Sequence, residues 1–223
     1  MIVRANIENL IFNFSDFYID GETNELFIIF GNLYVNKVFN DFPVNKIYNI
    51  SMHIPKNLPE QLPVVYDICG QVSDTYSHKY KDHSLCLGTT MEIYIDFCNG
   101  MSLSQWIDRY IVSYFFSYEH YMRFGEYPFG ERDHCLGPLE FYREYFCFAD
   151  LPNTFEFLRK IKDEPYRGHL PCPCNSGKIT RKCHGSKLLP LFQFNAMGQV
   201  CKDYDTIFRM VKKYDEQNNK RAK

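Results

Sequence analysis

Three cysteines and a histidine crowd one short stretch near the C-terminus: Cys172, Cys174, Cys183 and His184, in the pattern Cys-x-Cys-x8-Cys-His. Thiolate sulfur and imidazole nitrogen are ligands for a soft or borderline cation, and four of them make a tetrahedron. Cys172 and Cys174 stand at one end of a tight turn, Asn175-Ser176-Gly177 lets the chain reverse, and Cys183 with His184 arrives together to close the sphere. The spacing therefore predicts one structural Zn2+ per chain, with no position left open for catalysis. His169 and Cys201 are the alternative ligands within reach in sequence.

This segment resembles the SEC-C motif, a small zinc-binding module. Besides the four ligands, Pro173, Ser176, Gly177 and Gly185 agree with the motif, and the likeness covers about 20 residues. Asn175 stands where the motif usually has Gly, and Asn tolerates the left-handed backbone that a turn needs there. The resemblance implies a docking element. Between Pro165 and Lys187 lie Arg167, Lys178, Arg181, Lys182 and Lys187 with no acidic residue, a cationic knob that could meet an acidic protein face or RNA.

A second candidate for chemistry is Cys86. It sits in the apolar pulse Leu85-Cys86-Leu87, inside a polar and glycine-containing stretch, and it follows two histidines, His78 and His83. A thiolate is the nucleophile of cysteine chemistry, and a neighbouring imidazole can favour the thiolate or take a proton from an attacking amine. His83 is the nearer of the two in sequence. The remaining scattered cysteines, Cys69, Cys98, Cys135 and Cys147, read as small core hydrophobes.

The elements that must position these groups follow from periodicity. Residues 1–70 read as mainly β, with candidate strands at Glu25–Phe30, Asn32–Phe39, Lys46–Ile54 (Ile47, Ile50 and Met52 inward) and Val64–Ile68. A proline-rich loop spans Pro55 to Pro63, and a short helix is expected at Ile7–Phe14. Thr90–Phe97 reads as a strand. The clearest helix runs over 102–124, capped by Ser102 with Gln105 and ended by Gly125. Its stripe is Leu103, Trp106, Ile107, Tyr110, Ile111, Tyr114, Phe115 and Tyr118. Further helices are expected from Gly137-Pro138, at Thr154–Lys162 and at about Asp203–Gln217. The fold class is α+β, an antiparallel β-meander packed against helices, with domains at 1–163 and 164–223, the second being the zinc module and a C-terminal helix.

Over residues 25–148 this order of elements resembles the ubiquitin-conjugating enzyme fold: a meander, a Pro-rich connection, a His-containing flap, a Cys-Leu nucleophile segment, then helices. His78 lies where the family places its His-Pro-Asn flap, and Leu85-Cys86-Leu87-Gly88 resembles the active-site segment. The stretch from Phe124 to His134 resembles divergent bacterial members found in antiphage operons, such as CBASS and related ubiquitin-like conjugation systems. The resemblance implies a transferase that carries a protein C-terminus as a thioester on Cys86 and passes it to an amine, with an activating-enzyme-like protein and a ubiquitin-like or other protein substrate as partners. The flap reads Ser77-His78-Lys79-Tyr80, so the family's oxyanion-stabilising Asn is missing and His83 or a backbone N–H would have to serve. That absence also fits a non-catalytic adaptor that recruits a partner. A Cys/His hydrolase is a third reading, for which no orienting acid can be chosen from sequence.

Composition sets the outer bounds. Apolar residues make up 45 % of the 223 and aromatics 17 %, enough for a core without disulfides. A net charge of −2 argues against a general nucleic-acid coat. No apolar run approaches a membrane span and no signal peptide is evident, so the expected location is cytoplasmic.

Overall fold

The computed structural model describes residues 1–130 and 136–221, the side chains of 214–221 excepted. Helix α1 (Arg4–Asn13) leads into four strands, β1 (Phe17–Glu22), β2 (Leu26–Phe39), β3 (Phe42–Pro55) and β4 (Val64–Asp67). They form one antiparallel sheet in the order β1-β2-β3-β4. Asn40 and Asp41 both take positive φ, 50° and 61°, the backbone that a two-residue hairpin between long strands requires. The two strands expected on either side of Gly31 are a single strand, because Gly31 continues the ladder opposite Phe17 and Ile50.

Alternation along the strands selects the core face. β2 buries Phe27, Ile29, Leu33 and Val35, and β3 buries Val44, Tyr48, Ile50, Met52 and Ile54. Ile47, expected inward, lies on the opposite face and is exposed; register gives its place to Tyr48. The Tyr48 ring stacks on Phe115 at 3.9 Å and its hydroxyl donates to Glu119.

Over this face runs a long helical rod: α3 (Leu103–Trp106), a π-type turn at Ile107–Ile111, and α4 (Val112–Phe124). Ser102 Oγ accepts from the Gln105 N–H while Gln105 Oε1 accepts from the Ser102 N–H, the reciprocal cap expected. Gly125 closes the rod at φ 73°. Every residue of the expected stripe is buried. Phe116, outside that stripe, is buried as well, because Phe39 and Phe42 at the β2–β3 turn meet its ring edge-on at 6.4 and 5.9 Å.

Thr90–Cys98 is a helix, α2, not a strand. Met91, Ile93, Ile95 and Phe97 alternate in sequence, but Met91, Ile93, Tyr94 and Phe97 are the buried residues, and their 91/94/97 and 93/97 spacings, i+3 and i+4, make a helical face. The remaining helices are α5 (Gly137–Phe146), α6 (Leu151–Ile161), α7 (Gly185–Gln193, unforeseen in the sequence) and α8 (Met197–Arg221). Asp150 caps α6 by accepting from the Asn153 N–H at 2.8 Å. The Tyr142 hydroxyl donates to the buried Asp203 carboxylate at 2.9 Å, and burial raises both groups above their ordinary pKa ranges.

The chain divides into two compact units, Met1–Gly88 with Ile93–Glu131, and Thr89–Glu92 with Arg132–Lys223. The sequence division at 163/164 assigns α5 and α6 to the first domain, whereas this division groups them with the Cys/His segment.

Gly31 carries a specific steric demand. A Cβ there would stand 2.4 Å from the Asp16 carbonyl oxygen and 2.7 Å from Phe17 Cα, both backbone atoms that cannot swing away. Gly31→Ala should lose more than about 2 kcal/mol in urea unfolding, while Gly21→Ala, whose Cβ meets only the Ile28 side chain at 3.5 Å, should stay within about 0.5 kcal/mol. Equal losses at the two positions would contradict this account of the β1–β2 packing.

Candidate functional site

The Cys/His segment begins as a small hairpin. Pro171 bridges Ile179, the Cys172 N–H donates to Lys178 O at 2.8 Å, and the Thr180 N–H donates to Leu170 O at 2.8 Å. Between them Asn175 and Gly177 take φ of 62° and 75°, so the Asn at the usual Gly position adopts the left-handed backbone expected of it. A short 3-10 turn, Thr180–Lys182, then delivers Cys183 and His184 to the start of α7. Gly185 must be glycine: a Cβ would lie 2.8 Å from Thr180 O and 2.9 Å from the Tyr166 hydroxyl.

These elements bring the four expected ligands together. One ligand atom from each of Cys172, Cys174, Cys183 and His184 lies within 4.8 Å of all the others. His184 Nδ1 is 3.4 Å from Cys172 Sγ and 3.3 Å from Cys183 Sγ, and the Cys174 and Cys183 sulfurs are 3.5 Å apart. An ion bonded at about 2.3 Å to sulfur and about 2.0 Å to nitrogen holds its ligand atoms roughly 3.5 to 3.8 Å apart, so the set could bind one metal ion and is compatible with zinc. His169 is exposed and Cys201 Sγ turns to Lys162 O at 3.4 Å; neither joins the cluster.

A second layer orients the ligands. His184 Nε2 donates to Phe146 O at 3.2 Å, which leaves Nδ1 unprotonated and aimed at the sulfurs. Phe148 stacks on the imidazole at 5.1 Å, with Phe146 and Phe157 at 6.0 and 5.1 Å. Burial and the Lys187 ammonium hold His184 below its ordinary pKa against the Phe146 carbonyl, which favours the neutral, ligating form. Lys160 of α6 donates to Pro173 O at 3.0 Å and to Asn175 Oδ1 at 2.9 Å, clamping the turn. Sequence reasoning did not foresee this layer, because most of its members come from α5, α6 and the link between them, far from the ligands in sequence. Of the five basic residues, Arg167, Lys178, Arg181 and Lys182 are exposed. Lys187 turns away to Cys147 Sγ at 3.0 Å.

The Cys86 segment is a second, smaller hairpin. Cys86 N–H donates to His78 O at 2.8 Å and Tyr80 N–H to Ser84 O at 2.8 Å, flanking the bridge between Lys79 and Leu85. Leu85 N–H in turn donates to Val65 O at 2.8 Å, and Ser84 bridges Tyr66, so the segment extends the sheet beyond β4. Strand alternation then sets His78, Tyr80 and Cys86 on one face, with His78 directly across from Cys86. Cys86 is half-buried, and the Tyr80 hydroxyl donates to its Sγ at 3.2 Å. The other face holds the inward residues: Leu85 is buried, and Lys79 Nζ donates to Val72 O at 2.9 Å and to Asp74 Oδ1 at 2.7 Å, with Asp67 at 4.0 Å.

His78 and His83 part company here. The His78 ring packs edge-on against Tyr127 at 5.1 Å and Tyr76 at 5.5 Å, and Tyr114 donates to its carbonyl at 3.2 Å. His83 sits at the hairpin tip with φ 67°, its side chain 66 % exposed and 3.7 Å from Asp74. Its closeness in sequence to Cys86 thus reflects the turn, whereas His78 shares the thiol's face. Tyr80 was missed as a partner; the signal available was its place two residues after His78. Glu131 and His134, in the stretch compared with bacterial conjugating proteins, and Cys135, expected as a core thiol, lie outside the described residues. Among the described residues no helix is long and apolar enough to cross a membrane.

Two predictions follow from this geometry. The Lys79 and Asp67 side chains are 4 % and 0 % exposed, so Lys79→Met strands a buried carboxylate and should cost about 3 kcal/mol in denaturant unfolding; a loss below about 1 kcal/mol would contradict the anchoring role. For the metal cluster, burial pushes the Cys172 thiol up to about 11, so at neutral pH a metal must displace its proton. Apparent metal affinity should fall by more than about tenfold per unit of acidification between about pH 8 and pH 6, read by chelator competition, and a pH-independent affinity would argue against thiolate ligands.

Compared with known proteins, the chain matches no protein-family model, no curated protein and no solved structure.

Proposed function

We propose that this chain is a ubiquitin-conjugating-like acyl carrier with a structural zinc module. The observation that carries the reading is the small hairpin appended to β4, which sets a half-buried Cys86 across from His78 and beneath the Tyr80 hydroxyl. The support around it is the order of elements: a four-stranded antiparallel meander, a proline-rich loop, this hairpin, then the long helical rod.

In this reading the Cys86 thiolate attacks the thioester carbonyl of a modifier held by an activating enzyme. A new C–S bond forms to Cys86 and the activating enzyme's sulfur departs with its electron pair. An amine of the target then attacks the same carbonyl carbon, the C–N bond forms, the C–S bond to Cys86 breaks, and the amine's proton passes to a base. His78, on the face of the thiol, is the candidate for that proton. Cys172, Cys174, Cys183 and His184 would hold a structural Zn2+, leaving no position open for substrate, and would take no part in the chemistry. The exposed cations Arg167, Lys178, Arg181 and Lys182 give that module a docking face for an acidic protein surface. The role matches the bacterial ubiquitin-like conjugation systems, antiphage ones included, that the sequence resembles.

The test is reconstitution with an activating-enzyme-like protein, a ubiquitin-like modifier and ATP. Wild-type protein should form an adduct cleaved by thiol reductant, Cys86→Ser a reductant-resistant ester, and Cys86→Ala none. Full conjugation by Cys86→Ala would rule the reading out, and failure of wild type to form any adduct would favour the adaptor. Metal analysis should return one zinc per chain, lost when Cys172 and Cys174 are both changed to Ser.

A further inference from the structure

The hydroxyl on the Cys86 sulfur has no role in the exchange as written above. Tyr80 is held by its backbone, whose N–H donates to Ser84 O at 2.8 Å, so its ring lies diagonally across the hairpin from Cys86. Its Oη donates to Cys86 Sγ at 3.2 Å. The neighbouring hydroxyls are engaged elsewhere. Tyr114 donates to His78 O at 3.2 Å, Ser84 donates to Asp82 Oδ1 at 2.6 Å, and Tyr127 pairs with Ser77 at 2.8 Å. The Tyr80 phenol keeps its proton: burial of the hydroxyl, then the bond and charge at Cys86, raise it above its ordinary range.

We propose that Tyr80 is a catalytic hydrogen-bond donor that stabilises the Cys86 sulfur whenever it carries negative charge, as attacking thiolate and as leaving group. The proposal rests on the acyl-carrier reading. When the amine attacks and the C–S bond breaks, its electron pair returns to Cys86, and the Tyr80 O–H receives it without being transferred; the proton lost is the amine's. A donor fixed in advance by the hairpin needs no rearrangement as that charge develops. A hydrogen bond to a charged acceptor is the stronger kind, and a phenol is well suited because it stays protonated at neutral pH.

Tyr80→Phe deletes one oxygen and keeps the ring, so it tests the donor with little risk to folding. The charged and titratable groups of the segment remain: His78, Asp82 and His83 of the hairpin, Lys79 on its opposite face, Asp74 beside it, and Tyr114 of the rod. The readouts are the pH profile of Cys86 alkylation by iodoacetamide in the full chain, followed by peptide mass spectrometry, and the rate at which the loaded thioester is discharged by free lysine. Tyr80→Phe should slow alkylation at neutral pH about tenfold, displace the profile to higher pH, and slow discharge about tenfold, with the thermal midpoint unchanged. A superposed alkylation profile, with thioester still formed, overturns the role of Tyr80 alone. A displaced profile in a protein whose wild type never forms a thioester removes the acyl-carrier reading and this role with it.

Discussion

The geometry around Cys86 depends on one buried ammonium. Lys79 points into the protein, where Val72 O, Asp74 and Asp67 surround its Nζ. In an extended backbone an inward residue forces its neighbours outward, so the anchoring of Lys79 sets His78 and Tyr80 on the face that Cys86 shares. The same alternation buries Leu85 and so turns Cys86 out. Charge burial of this kind is costly unless every donor is satisfied, which explains why the loop from Val72 to Asp74 folds back onto the lysine. The loop's own backbone is fixed by the same carboxylate, since Asp67 Oδ2 accepts the Val72 N–H at 2.7 Å.

The Cys/His cluster obeys a different constraint. Its ligands are set by turn geometry rather than by charge: two left-handed residues, Asn175 and Gly177, and a glycine at 185 where a methyl group will not fit. Phe146 of α5, Phe157 of α6 and Phe148 of the link between them then pack around the His184 ring. A site with four protein ligands and an aromatic wall on one side is suited to hold a surface in shape.

How much of this could be read from the sequence varied with the range of the interactions. The cluster was legible because its ligands are near neighbours and the x-Asn-Ser-Gly turn between them is local. The helical rod was legible because its stripe and its Ser102–Gln105 cap both lie within a few residues. β1 was not, since exposed Tyr18 stands between inward Phe17 and Ile19 and Gly21 takes the next inward place, so its alternation of burial is no alternation of apolar and polar residues. α2 was misread because its apolar residues alternate while its buried ones do not. The contact between Tyr80 and Cys86 was invisible for the reason given above: it follows from where Lys79 points, and that is decided by Asp67, twelve positions earlier in the chain.

The central claim is that Cys86 carries an acyl group. Tandem mass spectrometry of the adduct isolated without reductant, from the reconstituted system, tests it most directly. The account predicts the modifier's C-terminal carbonyl on the Cys86 sulfur, with the other thiols free. An adduct on any other cysteine, with Cys86 still open to alkylation, would contradict it.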